Sequence, residues 1–569
     1  MRFPSPLLVG MLVFGGILVT AGCGAGGPVG PAEVNVLTGP RFWTGDPARP
    51  WADAVVVSEG RITAVIDRAE IAKAVAGGGS VRQLSGALAL PGLTDAHGHV
   101  LGLGLAQRRV QLVGAQTLDE TLARIEAYAK QHPDDAWILG RGWDQNDWPE
   151  RAWPDADRLE QVVRGRPCAL ARIDGHAYWV NRTALAEAGI DGTTPSPHGG
   201  VIHKDASGRP TGILIDEAMN LVDRKIPAPS AREVREALTL AAERLLSVGL
   251  TGVHAMDVSS AEWDGLRALA KEGRFPLRVT GYATHGSDLE RALFESKRPL
   301  EDGRLRLLGI KLYADGALGS RGARLLAPYQ DEPRSQGLWV TDPAELKREA
   351  ARQLAAGLQP AIHAIGDGAN RAVLDAYEAA FVAAPQSAAL RPRIEHVQLL
   401  APDDIPRFGK WGIVASMQPT HATSDMPWAE DRVGPQRIAG AYAWRALADS
   451  GAHLAFGSDF PIESPDPLRG LYAAVTRQDD QGRPSDGWTP AQRLDLATAL
   501  AAFTKGAAWA AHQEKDLGVL APGAWCDLTI LDRDVTAAPA AELLQAKVTA
   551  TVIGGQVVWP VARANTNTH

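Results

Sequence analysis

The sequence of 569 residues contains few cysteines and has no excess of positive charge. Of the three cysteines, Cys23 stands near the start, and Cys168 and Cys526 lie far apart, which argues against a disulfide framework. The chain has 58 Lys and Arg against 66 Asp and Glu, a net charge of -8, so no basic patch is expected to attract nucleic acid. The apolar run at residues 7–19 is too short to span a bilayer comfortably.

Residues 1–23 are typical of a bacterial lipoprotein signal peptide. Arg2 precedes the apolar run, and small residues come directly before Cys23. After cleavage Cys23 would carry lipid, which anchors a protein to a membrane without spanning it. Thr20 stands where such signals usually have leucine, so simple secretion is the alternative. We expect a chain at the periplasmic or extracytoplasmic face of a bacterial cell envelope, tethered by a linker at residues 24–32.

The middle of the chain alternates apolar strands with Ala/Leu-rich helical stretches. We count eight such strands, at residues 88–94, 251–256, 277–282, 305–313, 359–363, 393–397, 413–419 and 453–457. This pattern predicts an α/β fold with a (β/α)8 barrel of the TIM type at residues 89–514, whose active site lies at the carboxyl ends of the strands. Residues 33–88 and 515–560 alternate apolar and polar residues and predict one composite β-sandwich domain built from both chain ends.

A large insertion, at about residues 105–229, follows the first barrel strand. Connections this long are usually functional, and this one leaves the barrel beside the expected site, so we interpret it as a substrate cap. Its tryptophans fit either an aromatic-lined cleft or the packed core of the region. The substrate-contact candidates within it are His176, Trp179 and Asn181.

Polar side chains that bind metals recur within or just after the apolar strands. His97 and His99 alternate at the end of the first strand and therefore point the same way. Burial of an ionisable group is costly unless the group is paired or bound to metal, and packing does not explain the repetition on five strands. The predicted metal ligands are His97, His99, Lys311, His363, His396 and Asp459.

Three motifs around these residues resemble the amidohydrolase superfamily of metal-dependent hydrolases, in the branch (family 3) that contains N-substituted formamide deformylases. The motifs are Lys311-Leu-Tyr-Ala-Asp-Gly-Ala-Leu-Gly-Ser-Arg321, His363-Ala-Ile-Gly-Asp367, and Ala455-Phe-Gly-Ser-Asp-Phe-Pro461 followed by Asp466-Pro-Leu. The resemblance covers residues 34–559. It implies two divalent metal ions, usually zinc, one held by His97, His99 and Asp459 and the other by His363 and His396. It also implies that Lys311, carboxylated by CO2, bridges both ions.

The resemblance further implies hydrolysis of a carbon–nitrogen bond in a small non-peptide amide of the N-acyl or N-formyl type, by a metal-bound hydroxide. Asp459 would act as general base and then acid, and Lys311 is the second catalytic candidate. Esters, lactones, ureas and imines are substrates of related members. The sequence does not distinguish zinc, iron, manganese and cobalt as the metal. It also does not determine whether the chain forms a homo-oligomer.

Further substrate-contact candidates follow the fourth and seventh strands. Arg321 would suit a substrate carboxylate, His421 would donate to a carbonyl, and Asp315 lies between Lys311 and Arg321. A structural hydrogen bond or ion pair is the alternative for each candidate. An ion pair with Asp315 or another acid is likewise the alternative for Lys311.

Two other functions are compatible with such a barrel. The first is a mononuclear zinc deaminase, which places a glutamate three residues after the histidine of the fifth strand. Here Gly366 occupies that position and Asp367 follows it, which counts against deamination. The second is a lipid-anchored solute-binding protein without catalysis. Such a protein would be expected to have lost ligands, whereas all six are present.

Overall fold

The structure, a computed structural model, describes residues 35–76, 79–173, 175, 177–197 and 200–560. The predicted signal peptide with Cys23, the linker at residues 24–32 and His176 lie outside the described residues. Within the described ranges, no helix combines the length and the apolar character needed to cross a membrane.

Eight parallel strands form a barrel, as the sequence predicts. They follow one another around the sheet in chain order, and each is mostly buried, as strands covered on both faces are. Backbone hydrogen bonds link the segment after the eighth strand to the first strand, from Asp459 N to His97 O (2.7 Å) and from His99 N to Phe460 O (2.8 Å). The strands are Leu93–Gly98, Leu250–Val258, Arg278–Thr284, Leu305–Tyr313, Gln359–Ala364, Arg393–His396, Val414–Met417 and His453–Phe456.

Helices cover the outside of the barrel. The helix Ala231–Ser247 is typical: Ser230 and Glu233 form a capping box at its start, and its apolar face, with Leu238 and Leu245, is buried. The other helices outside the insertion are Ile71–Val75, Val100–Gln107, Ser260–Lys271, Asp288–Ser296, Pro343–Ala355, Asp367–Ala383, Ile405–Trp411, Pro419–Asp425, Ala429–Arg437, Trp444–Asp449, Pro467–Thr476, Leu496–Ala501 and Ala507–Ala510.

Strands from both chain ends join in one mixed sheet beside the barrel. Val55 from the amino-terminal part and Ile530 and Val552 from the carboxyl-terminal part belong to one buried apolar cluster, so the two ends share a core. The strands of this sheet are Asn35–Trp43, Trp51–Ser58, Arg61–Ile66, Ser80–Gln83, Leu88–Pro91, Leu528–Leu531, Val548–Ile553 and Gln556–Trp559.

The expectation of a single strand at residues 88–94 is wrong. Leu88–Pro91 pairs antiparallel with Leu528–Leu531 in the composite sheet, whereas Leu93–Gly98 begins the barrel. The chain changes sheets at Pro91 and Gly92, since proline has no N–H to donate to a ladder. A Cβ on Gly92 would lie 2.2 Å from the hydroxyl oxygen of Thr251, so only glycine fits this close approach.

The insertion after the first barrel strand forms a sheet of its own with two apolar faces. Leu170 and Trp179 lie in the cluster on one face, and Ala169 and Val180 lie in the cluster on the other. Its strands and helices are Val110–Gln111, Leu118–Gln131, Ile138–Trp143, Ala156–Val163, Cys168–Arg172, Ala177–Val180, Arg182–Glu187, Gly200–Lys204, Pro210–Asp216 and Asn220–Asp223.

The tryptophans of this insertion pack against one another. The ring of Trp143 lies 6.2 Å from that of Trp148 and 6.1 Å from that of Trp179, and all three side chains are fully buried. These rings fill the core of the insertion and do not line a cleft. Trp153, which is 40% exposed, contacts the same cluster from its edge.

Candidate metal centre

His97 and His99 stand at the end of the first barrel strand and meet Asp459, which follows the eighth. The Nε2 atoms of His97 and His99 lie 3.4 Å and 3.1 Å from Asp459 Oδ1, an atom that is buried and has no hydrogen bond within the described part of the chain. Three donor atoms of these residues lie within 4.8 Å of one another. The adjacent strands 1 and 8 therefore bring one carboxylate and two imidazoles to a single point.

The proton of His97 is fixed by a buried carboxylate. Nδ1 of His97 lies 2.7 Å from Oε2 of Glu395, and both side chains are fully buried. Because a carboxylate can only accept, Nδ1 carries the hydrogen and Nε2 keeps its lone pair toward Asp459. Nε2 of His97 and Oδ1 of Asp459 therefore present lone pairs to each other. A cation bound between these two atoms would accept both lone pairs.

Glu395 is held by Arg393, two residues earlier on the sixth strand. The guanidinium of Arg393 donates to both oxygens of Glu395, at 2.8 Å and 3.1 Å, and to the backbone oxygen of Ala96 at 2.7 Å. Burial alone would raise the pKa of Glu395, but Arg393 and the hydrogen bond from His97 hold this pKa well below its usual value. Arg393 and Glu395 were not predicted from the sequence, although two charged residues at alternate positions of an apolar strand were a usable signal.

His396 and His421 approach Asp459 from the sixth and seventh strands. Nδ1 of His396 lies 2.9 Å from the side-chain oxygen of Gln418, which leaves Nε2 of His396 as an acceptor. Nδ1 of His421 lies 3.1 Å from the side-chain nitrogen of Gln398, so Nδ1 accepts and Nε2 carries the hydrogen. Nε2 of His421 lies 3.8 Å from Asp459 Oδ2 and makes no hydrogen bond within the described residues.

His363 and Lys311 complete the group from the fifth and fourth strands. The ring centre of His363 lies 4.6 Å from that of His396, and Lys311 Nζ lies 3.5 Å from Nε2 of His97. Lys311 is 1% exposed, and its amine also lies 4.6 Å from the ring centre of Tyr313. Among the described residues, no carboxylate oxygen lies within 4.0 Å of this amine.

Backbone strain accompanies two of these positions. His396 has φ 73° and Asp459 has φ 59°, both in the left-handed region that residues other than glycine rarely adopt. Neighbouring residues of a strand point to opposite faces, yet Glu395 and His396 both contact His97. The positive φ that ends the strand at His396 accounts for this convergence, at a cost of about 1–3 kcal/mol per strained residue.

Burial favours the neutral form of three of these histidines, the form that binds a metal ion. Asp459 instead raises the pKa of His99 against the effect of burial. Burial and the positive charge of Lys311 lower the pKa of His97 to about 4 and that of His363 to about 3. Burial, together with His363 and His97, holds the pKa of His396 well below its usual value. Asp459 has a pKa well below its usual value, because the surrounding histidines outweigh the opposing effect of burial.

The remaining candidates are engaged in structural contacts. Asp315 is 1% exposed and accepts backbone N–H groups of Arg324 (2.7 Å), Ile365 (3.0 Å) and Gly366 (2.9 Å), while its Oδ1 lies 3.5 Å from Nε2 of His363. It therefore supports the loop after the fifth strand, which favours a structural role for this carboxylate. Arg321 donates through Nε and Nη2 to Asp331, at 3.1 Å and 2.8 Å, so its fork is already occupied.

Trp179 and Asn181 serve the core of the insertion. Trp179 donates from Nε1 to the backbone oxygen of Asp155 at 2.9 Å. Asn181 accepts from the N–H groups of Cys168 (2.8 Å) and Ala184 (3.1 Å), and its amide nitrogen donates to Glu160 Oε2 (2.7 Å). The polar atoms of both residues are used inside the insertion, which favours the structural alternative to substrate contact.

The donor set fits divalent metal ions. Neutral imidazoles and a carboxylate are preferred ligands of zinc and its neighbours, and Asp459 Oδ1 is a buried acceptor that nothing in the described part of the chain satisfies. The same Asp459 belongs to a second possible group with His396 and His421. His421 was expected to contact substrate, and its proton on Nε2 agrees with a donor better than with a ligand.

The amidohydrolase family model matches residues 80–559. The chain belongs to the amidohydrolase family. It is 35% identical to YtcJ of Bacillus subtilis (strain 168) over 84% of this chain and 90% of YtcJ. It is 28% identical to N-substituted formamide deformylase of Arthrobacter pascens, over 90% of this chain and 96% of that protein. The predicted family is confirmed.

Solved structures agree with this membership. An uncharacterized metal-dependent hydrolase from Pyrococcus horikoshii OT3 superposes with a TM-score of 0.76 at 29% identity, covering 89% of this amidohydrolase and 99% of that chain. A metal-dependent hydrolase from Pyrococcus furiosus gives a TM-score of 0.73 at 30% identity. The fold is therefore shared with these proteins, and the chain belongs to a family of metal-dependent enzymes.

Proposed function

We propose that this amidohydrolase cleaves the carbon–nitrogen bond of a small non-peptide amide of the N-acyl or N-formyl type. The observation that carries the proposal is the convergence of His97, His99, His396 and Asp459 beside the buried Lys311. The similarity to N-substituted formamide deformylase over most of both chains favours this bond type.

The site would hold two divalent ions, with zinc the expected metal. His97, His99 and Asp459 would hold one ion, and His363 and His396 the other. Such ions supply a Lewis acid and lower the pKa of a water molecule toward neutrality. With Oδ1 facing the first ion, Asp459 would use Oδ2, which lies 3.8 Å from Nε2 of His421, to take the proton of the attacking water and deliver it to the leaving nitrogen. The N–H of His421 Nε2 would donate to the substrate carbonyl oxygen.

Lys311 would act as a carbamate formed with CO2. A buried ammonium without a carboxylate partner is costly, and this amine has an imidazole nitrogen 3.5 Å away instead of an acid. A carbamate would replace that positive charge with one negative charge and two oxygens, which suits a position between two cations.

We expect Lys311→Ala to abolish hydrolysis and to lower the metal content by about one ion per chain, because the bridging oxygens would be lost. The measurements are activity against a panel of N-acyl and N-formyl compounds and metal analysis of the purified protein. A small carboxylic acid such as propionate should restore part of the activity of the variant.

Lys347→Ala is the matched control, since Lys347 is exposed on the helix Pro343–Ala355. It should keep the activity and metal content of the unchanged protein. Full activity of Lys311→Ala would rule out the bridging lysine, and a wild-type chain that hydrolyses no compound of the panel would rule out the amide substrate class.

We propose a periplasmic or extracytoplasmic location with a lipid anchor on Cys23, a residue outside the described ranges. The proposal rests on the arrangement of Arg2, the apolar run and the small residues before Cys23. Cys23→Ser should move the protein from the membrane fraction to the soluble fraction without loss of activity, as measured by fractionation of the bacterial host. If the unchanged protein is already soluble, the anchor is absent.

A further inference from the structure

Arg141 of the insertion reaches the rim of the metal centre. It lies on the strand Ile138–Trp143, and its Nη1 donates to the backbone oxygen of Pro461 at 2.5 Å. Pro461 comes two residues after Asp459 and directly after Phe460, whose backbone oxygen binds His99 N. The guanidinium of Arg141 therefore lies next to the segment that carries one ligand and contacts another.

This guanidinium has no acidic partner among the residues that the structure describes. Its Nη2 donates to the backbone oxygen of Ile173 at 3.3 Å, and no carboxylate oxygen lies within 4.0 Å of it. The nearby Glu463 instead accepts from the hydroxyl of Ser424 at 2.6 Å. Burial and the positive charge of Arg109 lower the pKa of Arg141, against the opposing negative charges of Glu463 and Asp459. Because no carboxylate of the described residues pairs with it directly, the guanidinium keeps N–H groups for a ligand anion.

Exposed apolar residues lie at, or next in sequence to, both backbone contacts of Arg141. Ile173, whose carbonyl accepts from Arg141, is 38% exposed, and Ile462, the residue after Pro461, is 57% exposed. These two aliphatic side chains are exposed on separate segments near the guanidinium of Arg141. Such a combination is typical of a surface that binds a ligand with an apolar part and an anionic part.

We propose that Arg141 binds a carboxylate of the substrate while Ile173 and Ile462 contact its apolar side chain. The substrate class is then an N-acylated or N-formylated carboxylic acid with an aliphatic or aromatic group, such as an N-formyl derivative of an apolar amino acid. This assignment rests on the proposed amide hydrolysis at the metal centre. The planar fork of arginine matches the two oxygens of a carboxylate, which a lysine at the same position would not.

The test uses two compounds that differ only in the carboxylate, N-formyl-leucine and N-(3-methylbutyl)formamide. The unchanged enzyme should prefer N-formyl-leucine. Arg141→Met should lower kcat/KM for N-formyl-leucine about 30-fold more than for the uncharged compound, mainly through KM, which corresponds to one lost hydrogen-bonded charge pair. Arg141→Lys should restore only part of the preference.

Arg158→Met is the matched control, because Arg158 lies on the same insertion and is bonded to the exposed Asp119. It should leave the ratio between the two compounds unchanged. Equal losses on both compounds in Arg141→Met would overturn the carboxylate assignment, even with hydrolysis intact.

A binding experiment separates this proposal from the proposed reaction. Calorimetric titration of 4-methylpentanoate and 4-methylpentanamide into the metal-loaded protein needs no hydrolysis. Tighter binding of the acid, lost in Arg141→Met, would support the carboxylate site even if no amide is cleaved. Equal binding of acid and amide, binding of neither, or binding of the acid that Arg141→Met leaves unchanged would refute it.

Discussion

At the residue scale, the polar residues that converge at the candidate metal centre could be identified from the sequence, but the residues that orient them could not. His97, His363, His396 and Asp459 stand out as polar residues at the ends of apolar strands. Their supports, such as Gln418 beside His396, depend on contacts between separate strands and on the positive φ at His396. A pattern of alternating side chains cannot reveal a backbone turn that brings two neighbouring residues to the same place.

Glu395 should control both stability and metal affinity. Glu395→Gln leaves the fully buried Arg393 without its carboxylate partner, so we expect the metal-free protein to lose about 3 kcal/mol of unfolding free energy. The amide also permits the wrong tautomer of His97, and metal affinity should fall about 10–100-fold. Urea unfolding and competition with a chelator measure the two effects.

Asp302→Asn serves as the comparison for Glu395→Gln. Asp302 pairs with Arg267, and both side chains are about half exposed, at 54% and 52%. Its replacement should cost less than about 1 kcal/mol and leave metal affinity unchanged. Unchanged metal affinity in Glu395→Gln would show that His97 does not need the carboxylate.

At the scale of elements, the eight strands of the barrel were predictable because parallel strands covered on both faces read as apolar runs. The change of sheet at Pro91 was not predicted, although the dipeptide Pro91-Gly92, which is typical of turns, interrupts residues 88–94. What separates the two strands is their partners: Ala89 pairs with Ile530, and Leu93 pairs with Leu250. These partners lie hundreds of residues apart, so no local pattern contains them.

The insertion shows a second limit at this scale. Trp179 and Asn181 were expected near substrate, and the tryptophans as a group fitted either a cleft or a core. The rings of Trp143, Trp148 and Trp179 pack together, and Asn181 caps the helix Arg182–Glu187. The number of aromatic residues in a segment does not show whether their rings line a cleft or pack in a core. Arg141 lies on the strand Ile138–Trp143 of this insertion, and its contact with Pro461 O of the barrel is not visible in the sequence pattern.

At the scale of the whole molecule, the composite sheet built from both ends of the chain is joined to the barrel by direct contacts. Leu88–Pro91 and Leu528–Leu531 pair in one sheet, and Leu93 N donates to the hydroxyl of Thr529 at 3.1 Å, directly before the first barrel strand continues to His97. Because the same short stretch belongs to the composite sheet and then to the barrel, we expect both parts to unfold together.

Asp527→Asn tests this coupling. Asp527 is 4% exposed and accepts from Arg278 of the third barrel strand, at 2.6 Å and 3.1 Å, as well as from Gly554 N at 2.8 Å. Removal of its charge leaves Arg278 buried without a partner, so calorimetry should show a loss of about 3 kcal/mol in one cooperative transition. The metal content of Asp527→Asn should stay the same. The control is Asp516→Asn, which affects the half-exposed pair with Arg61 and should lower the unfolding free energy by less than about 1 kcal/mol. Two separate transitions in Asp527→Asn, with the second at the wild-type temperature, would mean that the barrel is stable without the sheet formed by the chain ends.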